Sequence, residues 1–206
     1  MIVHKQLRSG IGIVLCLSFL LSCKEARHQD FLFPEHLLRE GDLAFRCGRS
    51  MASNTVLAAD AGGEYSHVGI VVKQNDTFKI IHAVPDEHDN EYDVDRVKMD
   101  DIQTFFSPEK SIYGAIMRVN DSTIATTAAH RALQIIEQGT LFDHNYDLSD
   151  SSKMYCTELI YFVYKEAGID LTEGRRSNVK LPVVSGTYIF PSDIQKNSSL
   201  QLLYRY

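Results

Sequence analysis

The sequence has no tryptophan, no basic block, no internal repeat and no low-complexity stretch. With a formal net charge of -6 and a pI near 5.7, it offers no cationic face for nucleic acid, whose phosphates demand one. Without Trp, any aromatic platform for a ligand must be built from the ten Tyr and ten Phe. A metal-ligand set is also lacking. His82 and His88 with Asp86 and Asp89 come nearest to one, and a charged turn explains that cluster better. Neither a metal nor another cofactor is expected. What remains is ordinary: 206 residues, 44% hydrophobic and 23% charged, sufficient for one soluble globular domain.

The N-terminus reads as an address and not as part of that domain. Lys5 and Arg8 precede an apolar run over residues 11–21, shorter than the roughly 20 residues a bilayer-spanning helix needs. The run ends in Leu20-Leu21-Ser22-Cys23, which resembles a bacterial lipobox; Leu15 before Cys16 suits that pattern less well. The resemblance implies a signal peptide over residues 1–22, lipid modification of Cys23, and export to the cell envelope on a membrane anchor. A buried N-terminal helix or an uncleaved anchor is the alternative. Residues 23–36, polar and mixed, are expected to form a tether, leaving residues 37–206 as the domain.

Within the domain, residues 41–45 open a first strand and the β-branched run 66–72 a second. Asn75-Asp76 turns the chain, and residues 78–84 return as the hairpin partner. Residues 112–119 read as a further strand. From Ser122 the period changes: Ile124, Ala128, Ala132 and Ile136 recur every four residues and Gly139 follows, which predicts an amphipathic helix. A second helix is predicted from Tyr155 to Ala167, stopped by Gly168, with a stripe of Leu159, Ile160, Val163 and Ala167. The last segment, with Pro182, Pro191 and Asp193, reads as loop before a short strand at residues 200–206. Antiparallel strands with segregated helices make an α+β domain.

Setting aside Cys16 and Cys23 leaves Cys47 and Cys156. A disulfide between them is one reading in an exported protein. Cys156, however, opens the second helix, where unpaired N–H groups and the helix dipole favour a thiolate and could receive an oxyanion. A small buried core thiol is the plain alternative. A thiol nucleophile needs a base, usually His, held by a third polar group. His88 lies in a solvated acidic loop, His130 on the exposed side of the first helix, His144 in a polar loop and His36 at the domain edge. His67 and His82 differ, since both sit in β-branched strands of one hairpin, where facing side chains lie about 5 Å apart.

Four blocks occur in order: Gly41-Asp42-Leu43, Tyr65-Ser66-His67-Val68-Gly69-Ile70-Val71, Ile81-His82-Ala83 and Tyr155-Cys156-Thr157-Glu158-Leu159-Ile160. Together they resemble the YiiX branch of the permuted papain-like cysteine hydrolases in the NlpC superfamily. The closing Pro191-Ser192-Asp193 segment fits that pattern too. The resemblance implies a circularly permuted papain-like fold, an antiparallel sheet or partial barrel packed against helices. It also implies Cys156 as nucleophile, His67 as general base and His82 as third member, a position where many relatives carry Glu. Tyr65 and Tyr155 are further candidates for binding substrate or the oxyanion. The implied activity is hydrolysis of amides, in peptides or cell-wall stem peptides. Acyl-amide or lipid hydrolysis or acyl transfer on the same fold is an alternative, as is a non-catalytic ligand-binding lipoprotein. Specificity is expected in residues 86–92 and 173–185.

Overall fold

The alternating and β-branched stretches build one sheet, and the four-residue periodicities build helices against it. In chain order the elements are a 3-10 turn (Glu35–Leu37), β1 (Leu43–Gly48), α1 (Met51–Ala59), β2 (His67–Gln74), β3 (Thr77–Val84), β4 (Arg96–Asp101), α2 (Ile102–Phe105) and β5 (Ser111–Val119). There follow α3 (Ser122–Glu137), β6 (Leu141–Phe142), β7 (Lys153–Met154), α4 (Cys156–Glu166), β8 (Ser177–Lys180), β9 (Ser185–Tyr188), α5 (Pro191–Gln195) and β10 (Leu200–Arg205). This computed structural model describes residues 33–180 and 185–206. The expected signal peptide, Cys23 and Pro182 lie outside the described residues.

Eight strands run in the order β10-β5-β1-β2-β3-β4-β6-β7 and curl into a half-barrel; β8 and β9 form a separate hairpin. The fold is therefore α+β with the permuted papain-like arrangement that the sequence blocks imply. β2 occupies the middle and is covered on both faces. Val68, Ile70 and Val72 pack with the α3 and α4 residues Ala128, Ala132, Leu159 and Val163 in one core. Val71 joins Ala44, Ile80, Phe105 and Phe106 in a second. Cover on both sides explains why β2 is a continuous β-branched run with its first six residues buried, and not an alternating one. Each such aliphatic side chain contributes about 1.5–3 kcal/mol.

Helix boundaries follow local chemistry. Asp121 caps α3 by accepting the N–H groups of Thr123 and Ile124. The buried stripe is Ala125, Ala128, Ala129, Ala132 and Ile135, turned from the expected one so that Ile124 and Ile136 are only partly covered. α4 begins at Cys156, and the buried Glu158 reaches back to the Tyr155 N–H at 3.4 Å.

Several elements differ from expectation. β1 starts at Leu43 because Gly41 takes a left-handed φ of +81°, and a Cβ there would lie 2.3 Å from the Ala125 carbonyl oxygen. Residues 33–36, expected in the tether, belong to the folded unit. Phe33 is buried and stacks on Phe106 at 5.4 Å. The helix α1, the strand β4, the β8–β9 hairpin and the helix α5 are not among the expected elements.

Gly69 sets how closely β2 and β3 approach. A Cβ on it would meet Ile80 Cγ2 at 2.4 Å, the Ile81 carbonyl oxygen at 2.9 Å and His82 Cβ at 3.2 Å. Gly69→Ala is expected to destabilise the fold by about 1–3 kcal/mol through overpacking, read as a lower urea midpoint. An unchanged midpoint would show that the hairpin has slack beside His82.

Candidate active site

Four strands and one helix end meet at the upper edge of the sheet. His67 is the first residue of β2 and pairs across with Arg46 of β1. His82 lies on β3, opposite Lys98 of β4, and Asp100 follows two residues on along β4, on the same face. Cys156 is the first residue of α4, whose Leu159, Ile160 and Val163 anchor it in the core beneath β2. Cys156 and His67 line one cleft.

The histidines form a chain with a direction. His67 Nε2 and His82 Nδ1 are 2.9 Å apart, with both rings buried. On its far side His82 Nε2 lies 3.3 Å from Asp100 Oδ2, in an oblique approach short of an ideal hydrogen bond. An ionised carboxylate only accepts, so the neutral His82 carries its proton on Nε2 and presents a bare Nδ1. That Nδ1 must accept from His67, which places the His67 proton on Nε2. His67 Nδ1 is then the ring nitrogen that this chain leaves unused.

Charged groups surround this chain. Asp100 Oδ1 lies 3.1 Å from Lys98 Nζ, and Oδ2 lies 3.2 Å from Lys110 Nζ. Burial raises the Asp100 pKa, but His82 and the two lysines outweigh it and hold the carboxyl well below the ordinary range. The Arg46 guanidinium is buried, pairs with Glu87, donates to the Phe105 carbonyl at 2.8 Å and lies 4.5 Å over the Phe105 ring. Glu87 also takes Lys110 at 2.7 Å. An unpaired cation buried here would cost several kcal/mol, and Glu87 offsets that cost.

This electrostatic setting disfavours a resting ion pair. Burial, then Arg46 and His82, push the His67 pKa well below 6.5; burial likewise lowers His82. Burial pushes the Cys156 thiol up to about 11, against the opposing pull of main-chain groups of Val68 and Thr157 and of Arg46. The helix start therefore does act on the sulfur as its sequence position implies, but burial outweighs it. At pH 7 the pair is thiol and imidazole.

The cleft continues past Cys156 into a second lobe of about 280 Å³, lined by α1, residues 146 and 155–157, and residues 188–191. Tyr155 borders both lobes, and its hydroxyl accepts the Ile189 N–H at 3.2 Å. Tyr65 does not reach the site. Its ring is buried between Phe45 and Tyr113, and it lines neither lobe. Cys47 and Cys156 are both free thiols, so the disulfide reading is corrected: the pair is not joined. His88 and His144 each pair with Asp95, and His36 and His130 are exposed. Among the described residues no group of three or more His, Cys, Asp or Glu is placed to hold a metal.

Sequence reasoning missed Arg46, Asp100 and Glu87. The alternation of Val97 and Met99 with Lys98 and Asp100 was the readable sign of a strand there. Arg46, closing an apolar strand, was the sign of a buried charge. Glu87 belonged to a loop read as solvated, yet it is tied to Arg46. Residues 173–180 were expected to shape specificity but line neither lobe, whereas α1 and residues 188–191 do.

Alkylation tests the neutral resting pair. With the thiol raised and His67 lowered, the rate of Cys156 modification by iodoacetamide is expected to climb with pH through the neutral range towards about 11. A rate already flat between pH 5 and 7 would reveal a thiolate–imidazolium pair instead.

Comparisons with known proteins bear on the fold and the family. The chain superimposes on the crystal structure of YiiX from Escherichia coli O157:H7, described as a metalloprotein, with a TM-score of 0.67 at 19% identity, covering 82% of this chain and 97% of that one. No curated protein matches the chain. Residues 37–181 match the family of permuted papain-like amidases, YaeF/YiiX, C92. With more than half of its length matched, the chain belongs to that family and is a papain-like cysteine hydrolase of the amidase kind.

Proposed function

We propose that the protein cleaves amide bonds with Cys156 as nucleophile, His67 as general base and His82, oriented by Asp100, as the third member. The observation that carries this reading is the proton chain. His67 Nε2 is engaged by His82, which leaves Nδ1 for the thiol in a cleft that both residues share.

The steps follow from the neutral pair. As Sγ bonds to the carbonyl carbon, the thiol proton moves to His67 Nδ1. The resulting imidazolium is stabilised through His82 by the ionised Asp100. The carbonyl oxygen, now negative, faces the free N–H groups of the first turn of α4. Collapse breaks the C–N bond, and the His67 proton goes to the departing amine. Water, deprotonated by His67, then attacks the thioester, releasing the carboxylic acid and restoring the thiol.

Substrate candidates are peptides, cell-wall stem peptides and acyl amides. The lipobox-like Leu20-Leu21-Ser22-Cys23 supports an exported protein held at the cell envelope by a lipid on Cys23. The raised thiol pKa favours a second reading, capture of a ligand in the cleft without turnover.

Cys156→Ala is expected to abolish turnover and iodoacetamide labelling together. His82→Ala is expected to lower kcat by about 100-fold or more, with labelling retained. Asp100→Asn, which removes the fixed acceptor, is expected to cost at least about tenfold. Labelling of Cys47 with activity retained in Cys156→Ala would overturn the assignment. Ligand binding without any turnover would favour capture.

A further inference from the structure

The two lobes of the cleft are chemically unlike, and amide cleavage assigns a role to each. His67 borders only the lobe that also holds Arg46, Ser66 and Glu87. A base that gives its proton to the departing amine must lie beside that amine, so the amine part of the substrate occupies the polar lobe. The acyl part remains on Sγ and must extend the other way, into the lobe lined by Cys156 and Thr157 but not by His67. Resting on the Cys156–His67 reading above, we propose that this second lobe is the acyl subsite and that the acyl group it takes is apolar and uncharged.

The lining supports that class of substrate. Among the described residues no charged side chain borders the lobe; its walls include Val56, Ala59, Tyr146, Tyr155, Ile189 and Phe190. A carboxylate or ammonium placed there would lose its water and find no counter-ion, at a cost of several kcal/mol. Amides whose acyl side carries a charge next to the scissile carbonyl are thereby disfavoured. The volume of about 280 Å³ falls just below the roughly 300–1,000 Å³ of ligand pockets. It suits one aromatic or aliphatic side chain, or a short aliphatic chain, and not a long lipid tail.

The fold holds this wall against a conformational cost. Tyr146 has a left-handed φ of +53°, unfavourable for a bulky residue. The buried Asp143 carboxylate secures the turn by accepting the N–H groups of Asn145 and Asp147. The Tyr146 ring is thereby set 5.3 Å from Tyr155 and 6.3 Å from Tyr188, and the rings continue to Phe190. Tyr188–Pro191 lie beyond the residues matched to the family, so this wall is read from the present chain.

The test holds the amine constant and varies the acyl group on the full chain. Acetyl, hexanoyl, N-acetyl-leucyl and succinyl amides of one polar amine are compared by kcat/KM. The hexanoyl or N-acetyl-leucyl amide is expected to exceed the succinyl amide by at least about tenfold. Whichever of the two is faster tells whether a fatty or an amino-acyl group is the natural source. Ala59→Phe, which fills the lobe from α1, is expected to reduce the preferred amide about tenfold more than the acetyl amide. Ala59→Leu should show the same direction with smaller size, and serves if the first variant misfolds. Equal rates for charged and apolar acyl groups, or ratios unmoved by either variant, would overturn the subsite while leaving Cys156-dependent hydrolysis standing. Absence of turnover with every acyl group would overturn both.

Discussion

The site depends on one buried carboxylate. Asp100 is ionised, sits beneath His82 and can only accept a proton, so the donors and acceptors of His82 and His67 are determined in turn. In the proposed triad the third member, a neutral His, supplies no charge of its own. Asp100 supplies that charge one residue deeper, and His82 relays it as orientation.

That arrangement makes demands on the surrounding sheet. A lone buried carboxylate would shift its pKa upward and lose its charge. Lys98 and Lys110 prevent this, and Lys110 also ties Asp100 to the Arg46–Glu87 pair. β4 must therefore stay in register with β3, because a slip of one residue would turn Lys98 and Asp100 away from His82. Gly69 contributes to the same end by letting β3 lie close against β2. Charge, register and close packing are one constraint here.

The fold was legible wherever hydrophobic period was strong. β2, β3, α3 and α4 announce themselves through β-branched runs or four-residue repeats, and the ordered blocks around His67 and Cys156 pointed to the family. α1 was not legible because it buries none of its residues fully, so no apolar stripe marks it. β4 was obscured by its charged residues: Lys98 stands opposite His82, and Asp100 lies on the same face. The position of His82 beside His67 was readable from the hairpin, whereas its partner Asp100 required a strand pairing between segments some twenty residues apart. Tyr65 shows the converse. Its place beside the Ser-His-Val-Gly block made it a candidate, but its ring packs into the core between Phe45 and Tyr113. The apolar lobe draws on four separate segments, and no local pattern carries such a meeting.

The central claim is the direction of the proton chain, and long-range proton–nitrogen NMR of the imidazoles tests it most directly. At pH 6.5 the account expects both His67 and His82 neutral, with the proton on Nε2 of each ring. Asp100→Asn should scramble the His82 tautomer. A protonated His67 at that pH, or a His67 proton resident on Nδ1, would contradict the account.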